Sequence, residues 1–393
     1  IYINKMKKNV LIIFKYPHQW NDPCISRFSN YYNVEYLYIS NIKNKNFVEI
    51  IDHINNFIIT KQIDIVAFDV DYFKFINFFF ISKINCNKKI LLIGDDIGLH
   101  ELHSITASAC DLVLTHCPLS VLKYKEKGYE AHLFYSELID LKKFDSIKKD
   151  IDVLFYGHIT PDRKEFIDHI EKSGVSLKNV GHDKEIAGLS IEELSQVISR
   201  AKIVLQFSKT RTSSVLNYGS ERVFKFYYQF KGRMLHAGAL GSACVAEYAP
   251  GTELVFSEDE LPTFHTKEEC VKILKKILQN EHLLKMHTDK LSLKISDFAD
   301  SIKSFQPIYK ALEKKDSTKV ILSKIPYWYL RISAKYIIIK NIKISNFVKS
   351  VFQLKIIFKI TKKSNPLTRL LILSESIVNI LWYSFLQTFK SKN

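Results

Sequence analysis

Two turns that follow apolar runs carry residue types that can bind a phosphate group. Gly157 ends the run Asp152–Tyr156 and precedes a helical pattern that carries Arg163. Ser208 ends a second apolar run and is followed by a lysine and, two residues later, an arginine. A nucleoside diphosphate requires cations or helix N-termini for its phosphates, a polar group for its ribose and a close approach of the backbone. Both turns are therefore candidate phosphate sites.

A third segment combines two cations with glycines. Lys231-Gly232-Arg233 lies directly before a helical pattern, and Gly238 and Gly241 lie near the other end of that pattern. The start of a helix attracts anions, and a glycine admits close packing. Each segment alone also fits a solvated cationic face or glycines that end a helix. Their order along the chain favours a single diphosphate site.

The elements that must position these residues form two α/β units, approximately residues 1–140 and 150–300. Apolar strands alternate with helical segments in both units, which predicts two parallel sheets. Two Rossmann-like domains then face a cleft, with ligands at the carboxyl ends of the strands. The strands predicted in the first unit are Asn9–Phe14, Val34–Ile39, Ile63–Phe68, Ile90–Ile93, Leu112–Thr115 and His132–Tyr135.

The second unit repeats the alternation. A helix from Arg163 to Ser173 follows its first strand, and Ser190 with Glu193 predicts a capping box at the start of another helix. Further helices are predicted at 233–240, 266–280 and 281–296. The strands predicted in this unit are Asp152–Tyr156, Val175–Val180, Ile203–Phe207 and Ala243–Ala246.

The net charge of +16 is concentrated in residues 317–393, which hold fourteen Lys and Arg residues and one acidic residue, Glu375. The rest of the chain is nearly neutral, which disfavours nucleic acid as a partner. The apolar stretch Leu367–Phe389 contains charged and amide residues, so interfacial amphipathic helices on an anionic membrane are favoured over a spanning helix. The alternative is an ordinary helical extension packed on the body, as predicted for residues 301–316.

The six cysteines indicate the compartment. They form no Cys-x-x-Cys pair and no Cys/His cluster with zinc spacing, which is typical of reduced thiols in a cytoplasmic protein. The segment before Met6 lacks a long apolar core, so we expect no signal peptide and a natural start at Met6. The expected location is the cytoplasm, at the inner face of the plasma membrane.

Residues 151–281 resemble the C-terminal "glycosyl transferases group 1" domain of the CgeB-like (spore maturation protein B-like) glycosyltransferases. The N-terminal half matches that family only loosely. The resemblance rests on motifs in a fixed order: Phe155-Tyr156-Gly157, Arg163, Asn179-Val180-Gly181, the segment 190–208 (SIEELSQVISRAKIVLQFS), Lys231 to His236, Gly241, and Ala246-Glu247-Tyr248-Ala249-Pro250.

This resemblance implies a GT-B fold and transfer of a sugar from a nucleotide-sugar donor, with no metal or other cofactor. It assigns Arg163, Lys231 and Arg233 to the diphosphate, whose negative charge grows as it leaves. Gly157 and Gly241 would let the backbone approach the phosphates.

One position departs from the family pattern. His236 stands where related enzymes have a Glu that binds the ribose hydroxyls, and an imidazole cannot offer two acceptor oxygens. The donor nucleotide or its geometry is then altered, or this member is weak or inactive. The resemblance also places Glu253 near the sugar or nucleotide. Residues 209–230 exceed the usual loop and are predicted to form a lid or an acceptor-specific insertion.

An acceptor base is expected from the first domain. Asp95, Asp96 and His100 are the predicted catalytic residues, with His18 and His103 as further candidates. Asp95-Asp96 follows a strand and is expected on the cleft side, although such a pair also serves as a helix cap or a solvated face. His100 and His103 alone are too few ligands for a metal site.

Together these expectations predict that the protein is a bacterial glycosyltransferase that acts on a glycan or lipid-linked acceptor. The predicted pathway is the synthesis of cell-surface polysaccharide or glycoconjugate. Two alternatives stay open. The chain is a catalytically degenerate GT-B module that binds at the membrane, or it is a sugar-nucleotide epimerase of the same fold.

Overall fold

The structure is a computed structural model of the chain. Gly181, Arg211 and most of the predicted lid lie outside the residues that it describes. It describes residues 7–18, 21–42, 45–70, 75–136, 138, 147–180, 189–209, 228–314, 320, 322, 325–342, 347–362 and 364–390.

Within these residues, the first sheet has six parallel strands in the order β2-β1-β3-β4-β5-β6. Helices cover both faces of the sheet, and its central strands are continuous apolar runs for that reason. The strands are β1 (Asn9–Phe14), β2 (Asn33–Tyr38), β3 (Ile65–Asp69), β4 (Lys88–Ile93), β5 (Leu112–Thr115) and β6 (Ala131–Leu133). The helices are α1 (Asn21–Ser29), α2 (Phe47–Thr60), α3 (Phe78–Ile81), α4 (His100–Ala107) and α5 (Pro118–Glu126).

The second sheet is also parallel and has the order β11-β10-β9-β7-β8 in the described part of the chain. Its strands are β7 (Ile151–Tyr156), β8 (Leu177–Val180), β9 (Ala201–Gln206), β10 (Ala243–Glu247) and β11 (Thr263–Phe264). Its helices are α6 (Pro161–Lys172), α7 (Ile191–Ser199), α8 (Arg233–Ala239), α9 (Lys267–Leu278) and α10 (Glu281–Ala299).

The predicted α/β class with two parallel sheets is confirmed. Every predicted strand is present, two of them with the predicted bounds and the others with ends shifted by one or two residues. The capping box of Ser190 and Glu193 is also confirmed. Helix α6 begins at Pro161 rather than at Arg163, because Thr160 caps it and proline suits the first helical position.

The chain then returns to the first domain. Helix α11 (Ser301–Glu313) packs Phe305 edge-on against Phe28 and Phe134 beside the first sheet. Three more helices follow, α12 (Tyr327–Ile342), α13 (Phe347–Ile360) and α14 (Pro366–Lys390). Among the described residues, no helix is both long and apolar enough to cross a membrane.

Helix α12 packs on the first domain. The Tyr329 hydroxyl accepts a hydrogen bond of 2.8 Å from the backbone N–H of Phe78 and shares one of 2.9 Å with the Thr106 hydroxyl. Ile337 is fully buried in the first-domain core. Helix α12 of the basic extension is therefore packed on the body, as in the alternative stated above.

Candidate functional site

A cavity of about 410 Å³ opens at the carboxyl edge of the first sheet. Its wall is formed by residues at or directly after the ends of β1, β3, β4 and β5, where parallel strands place a binding site. The polar members of this wall include Lys15, His18, Asp69, Asp95, His116 and Ser136. Of the sequence-predicted residues, His18 and Asp95 therefore line the cavity.

His116 follows β5 and is held as a neutral imidazole. Its Nε2 accepts a hydrogen bond of 3.2 Å from the backbone N–H of Ser136 and lies 2.9 Å from the Ser136 hydroxyl. Burial lowers the pKa of His116 to about 4, although the charge of Asp95 opposes that shift, and Arg27 lowers it further. At neutral pH the cavity thus presents carboxylates beside a neutral, hydrogen-bonding histidine.

The low pKa of His116 predicts a loss of stability in acid. The folded protein binds this proton with a pKa of about 4 and the unfolded chain with a pKa near 6.5, so the unfolded state holds more protons between these values. The free energy of unfolding should fall as the pH drops from 6.5 to 4, by about 3 kcal/mol from this group. In urea titrations, His116→Gln should remove that part of the fall. Parallel pH profiles for the two proteins would contradict the assignment.

The Asp95-Asp96 pair is divided between the cavity and the interior. Asp95 is half-buried in the cavity wall, whereas Asp96 has no exposed surface. Asp96 lies 2.9 Å from His103 Nδ1 and accepts hydrogen bonds of 3.2 Å from the Tyr124 hydroxyl and 3.4 Å from the Thr115 hydroxyl. The prediction that Asp96 faces the cleft is wrong, because its carboxylate is buried and is bonded to side chains of the core.

His100 belongs to the same buried network. Its Nδ1 lies 3.7 Å from the Asp96 carboxylate, and its ring packs against Tyr124. Burial alone would raise the pKa of Asp96, but His100 and His103 outweigh that effect and hold the pKa below its usual range. His100 and His103 thus serve the packing of α4, and neither is in contact with the cavity in this structure.

In the second domain, Arg233 lies at the carboxyl edge of the sheet. It is the first residue of α8, and its Nε donates a hydrogen bond of 2.7 Å to the carbonyl of Tyr156, the last residue of β7. Its guanidinium lies 5.5 Å from the Phe155 ring centroid and 5.4 Å from that of Tyr156. Lys231 is half-buried two residues earlier. Arg233 is therefore fixed beside the end of β7, and Lys231 precedes it in the turn that leads into α8.

Gly157 makes room for Arg233. Its φ is +123°, and a Cβ at this position would lie within 2.2 Å of the Arg233 guanidinium. The group that approaches the Gly157 backbone closely is thus the Arg233 side chain, whereas the sequence predicted a ligand phosphate there. Any ligand phosphate would meet the guanidinium that occupies this gap.

Gly157→Ala should therefore cost more than backbone strain. Gly174→Ala is a matched control, because Gly174 has φ +82° and a Cβ there would meet nothing within 4 Å. We expect about 1 kcal/mol of destabilisation for the control and about 2 kcal/mol for Gly157→Ala in urea unfolding, because φ +123° lies farther from the conformations of alanine and the tip of Arg233 must also move. Equal costs for the two substitutions would contradict the crowding at Gly157.

Arg163 and Ser208 are engaged inside the domain. The Arg163 guanidinium donates hydrogen bonds of 2.7 Å to the carbonyl of His158 and 3.3 Å to that of Lys209, and only 4% of the side chain is exposed. The Ser208 N–H and hydroxyl donate to the side chain and the carbonyl of Glu247, at 2.9 and 2.6 Å. These residues hold the turns after β7 and β9 in place, and their predicted contact with the donor stays a prediction.

Gly241 and Glu253 lie at opposite edges of the second sheet. Gly241 ends α8 just before β10 begins, and its carbonyl accepts a hydrogen bond of 2.8 Å from Lys149. The prediction that Gly241 approaches the phosphates is wrong, because this is the amino edge of the sheet. Glu253 follows the carboxyl end of β10, is exposed and accepts a hydrogen bond of 3.1 Å from Tyr248.

His236 faces Tyr156 across the start of α8. Its Nδ1 lies 3.0 Å from the Tyr156 hydroxyl, the two rings are stacked, and 5% of His236 is exposed. The imidazole that stands in place of the family's glutamate is thus already within hydrogen-bond distance of Tyr156 in its own domain. A ribose hydroxyl would have to share His236 with the Tyr156 hydroxyl.

The two halves of the site meet at a hydrogen bond between domains. The side-chain amide of Gln229 donates to the carboxylate of Asp95. Gln229 lies two residues before Lys231, so the cations of the second domain and the cavity of the first domain border the same cleft. Gly251 packs closely against Leu119 at the start of α5, also across the domains.

Sequence reasoning missed several residues that the structure places at the site. Asp69 and His116 line the cavity, and Glu247 organises the turn after β9. The signal that could have found them is position, because Asp69 and Glu247 end strands and His116 directly follows one. In a parallel sheet these positions share the carboxyl edge.

The arrangement of two parallel α/β domains is shared with solved structures, and these define the fold class of the chain. Sucrose-phosphate synthase from Thermosynechococcus elongatus is 9% identical, with a TM-score of 0.50 over 78% of this chain and 99% of its own. Anabaena HepE in complex with UDP and glucose is 11% identical, with a TM-score of 0.53 over 78% of this chain and 99% of its own. The fold is GT-B.

Residues 150–290 match the family model described as "Glycosyl transferase-like". The second domain is therefore a glycosyl transferase-like domain, which confirms the family suggested by the motifs around Gly157 and Arg233. The narrower CgeB-like assignment stays a prediction. No curated protein matches the chain.

Proposed function

We propose that the protein is a glycosyltransferase that binds a nucleotide sugar at the carboxyl edge of the second sheet and a hydroxyl-bearing acceptor in the cavity of the first domain. The observation that carries the proposal is the placement of Arg233, which is fixed beside Gly157 in a glycosyl transferase-like domain. Gln229, four residues earlier in the chain, contacts Asp95 in the wall of the cavity.

The donor half follows from charge. The diphosphate of a nucleotide sugar gains negative charge as the bond to the sugar breaks, and cations fixed beforehand stabilise that charge without reorganisation. Arg233 is fixed by the Tyr156 carbonyl and the gap at Gly157, and Lys231, two residues earlier in the chain, would add a second positive charge. Arg163 acts as a positioning residue, because it joins the two turns that border the diphosphate.

The acceptor half follows from the cavity wall. A wall with two carboxylates, histidines and a lysine suits an acceptor with several hydroxyls, as in a glycan. The acceptor oxygen attacks the anomeric carbon, the bond from that carbon to the diphosphate oxygen breaks, and Asp95 accepts the hydroxyl proton. His116, neutral at physiological pH, orients the acceptor through a hydrogen bond.

Uridine nucleotides are the first donors to test. A second Anabaena HepE structure, in complex with UDP-glucose, has a TM-score of 0.53 and 12% identity over 77% of this chain and 99% of its own. The test is incubation of the full chain with nucleotide sugars and an acceptor panel, followed by detection of the nucleoside diphosphate and the glycosylated product. Absence of turnover for every donor that binds would contradict the proposed transfer.

A second candidate function is donor binding without transfer, and His236 is the observation that favours it. A degenerate module would bind nucleotide, release no diphosphate, and gain turnover in His236→Glu. Turnover by the unmodified protein would exclude this candidate. An epimerase would differ from both, because it converts the donor sugar when no acceptor is present.

A further inference from the structure

The outer face of α14 carries a continuous stripe of exposed aliphatic side chains. Its members recur at the three- and four-residue spacing of one helical face and span about 21 Å along the axis. They are Leu367 (66% exposed), Leu370 (64%), Leu371 (47%), Ile377 (45%), Val378 (63%) and Leu381 (54%), with Ser374 between them. We refer to this surface as the α14 stripe.

The opposite face of α14 already has its partners. Ile372, Ser376 and Ile380 are buried, and Ile372 and Ile380 form a small core with Leu330 of α12 and Ile357 of α13. The α14 stripe is therefore not the face that folds the extension. Exposed aliphatic residues scattered singly need no explanation, whereas a contiguous row of this kind marks a binding surface.

The charges around the α14 stripe are positive. The extension has a single acidic residue, Glu375, whose carboxylate accepts hydrogen bonds of 2.7 Å from the Arg331 guanidinium. Lys359 and Lys362 are exposed at the end of α13, next to the start of α14. Arg369 lies over the ring of Phe358, which is 48% exposed. An apolar row beside cations is complementary to an anionic bilayer surface.

We propose that the α14 stripe inserts into the interfacial region of an anionic membrane, with Lys359 and Lys362 at the headgroups. Helix α12 packs on the first domain and shares a small core with α14, so insertion of α14 would bring the first domain to the bilayer. This proposal does not depend on the proposed sugar transfer.

A bilayer fits this surface better than a second copy of the chain. Two copies that met through α14 would bring together two extensions with fourteen basic residues and one acidic residue each, and like charges repel at that distance. Anionic lipid turns the same charge into attraction.

The test is flotation of the full chain with vesicles of phosphatidylcholine alone or mixed with phosphatidylglycerol. The wild-type protein should bind the anionic vesicles more tightly than the neutral ones. The pair Leu370→Glu and Val378→Glu should weaken this binding on the order of a hundredfold, because it removes two inserted aliphatic groups and adds two anions. Lys359→Gln with Lys362→Gln should weaken binding to the anionic vesicles alone, by about tenfold or more.

A matched control separates insertion from net charge. Ile59 (73% exposed, on α2) and Leu293 (70% exposed, on α10) are equally exposed aliphatic residues away from α14. Ile59→Glu with Leu293→Glu adds the same charge and should weaken binding only severalfold. Unchanged thermal unfolding and nucleotide binding of the stripe variant would show that the fold is intact.

Either of two kinds of result would overturn the proposal. One is a failure of the vesicle test: the wild type does not bind the vesicles, or the stripe variant and the control lose binding equally. The other is a dimer in light scattering that Leu370→Glu with Val378→Glu dissociates, because the α14 stripe would then be an interface between two copies.

Discussion

Arg233→Ala should raise the dissociation constant for the nucleoside diphosphate about tenfold to a hundredfold, as expected when a charged hydrogen-bond donor is removed from a phosphate. The guanidinium is fixed by the Tyr156 carbonyl and fills the gap at Gly157, so alanine would remove a donor that is already in place before the nucleotide binds. Arg233→Lys should be intermediate, because it keeps the charge and loses the planar fork. Isothermal titration of the three proteins with the same nucleotide measures these effects.

Arg200→Ala is the matched control for this substitution. Arg200 also pairs with neighbouring groups, at 2.8 Å to Asp150, but it lies just before β9, at the amino edge of the same sheet. Its removal should leave the dissociation constant unchanged. If Arg200→Ala and Arg233→Ala weaken nucleotide binding alike, the donor site is not at the carboxyl edge, and the assignment of Arg233 is wrong.

Asp95→Asn should lower turnover by about two to four orders of magnitude, the usual contribution of a general base. The asparagine keeps an acceptor oxygen for Gln229, so the contact between the domains and the affinity for nucleotide should change little. Initial rates of diphosphate release at saturating donor measure turnover, and titration measures affinity. A parallel loss of both would indicate that Asp95 holds the domains together and is not the base.

Asp69→Asn tests the choice between the two carboxylates of the cavity. Asp69 ends β3 and lines the same wall, but the hydrogen bond to Gln229 of the second domain is made by Asp95. We expect Asp69→Asn to raise the KM for the acceptor more than it lowers kcat. A collapse of kcat in Asp69→Asn with normal kcat in Asp95→Asn would transfer the role of base to Asp69.

Much of the fold could be predicted from sequence because its signals are local. The apolar run Asn9–Phe14 forms β1 and the run Leu112–Thr115 forms β5, both with the predicted bounds. The capping box at Ser190 required only two residues three positions apart. Packing of the basic extension was not readable, because Tyr329 binds Phe78 and Thr106 more than two hundred positions away.

The candidate site was less predictable, because residue type and order do not say which way a side chain points. Asp95 and Asp96 are adjacent, and one lines the cavity while the other is buried. Arg163 has the charge for a phosphate, yet its donors are used by two backbone carbonyls. The prediction for Gly241 overlooked that β10 begins two residues later. A residue directly before a strand lies at the amino edge of a parallel sheet, away from the phosphates.

The most direct test of a nucleotide-sugar site at Arg233 is thermal unfolding of the full chain with a panel of nucleoside diphosphates and nucleotide sugars. A ligand at about a hundred times its dissociation constant should stabilise the folded protein by about 2.7 kcal/mol, which is a shift of several degrees in Tm. We expect such a shift for at least one nucleotide, smaller in Arg233→Ala and undiminished in Arg200→Ala. No shift for any member of the panel would contradict a donor site at Arg233.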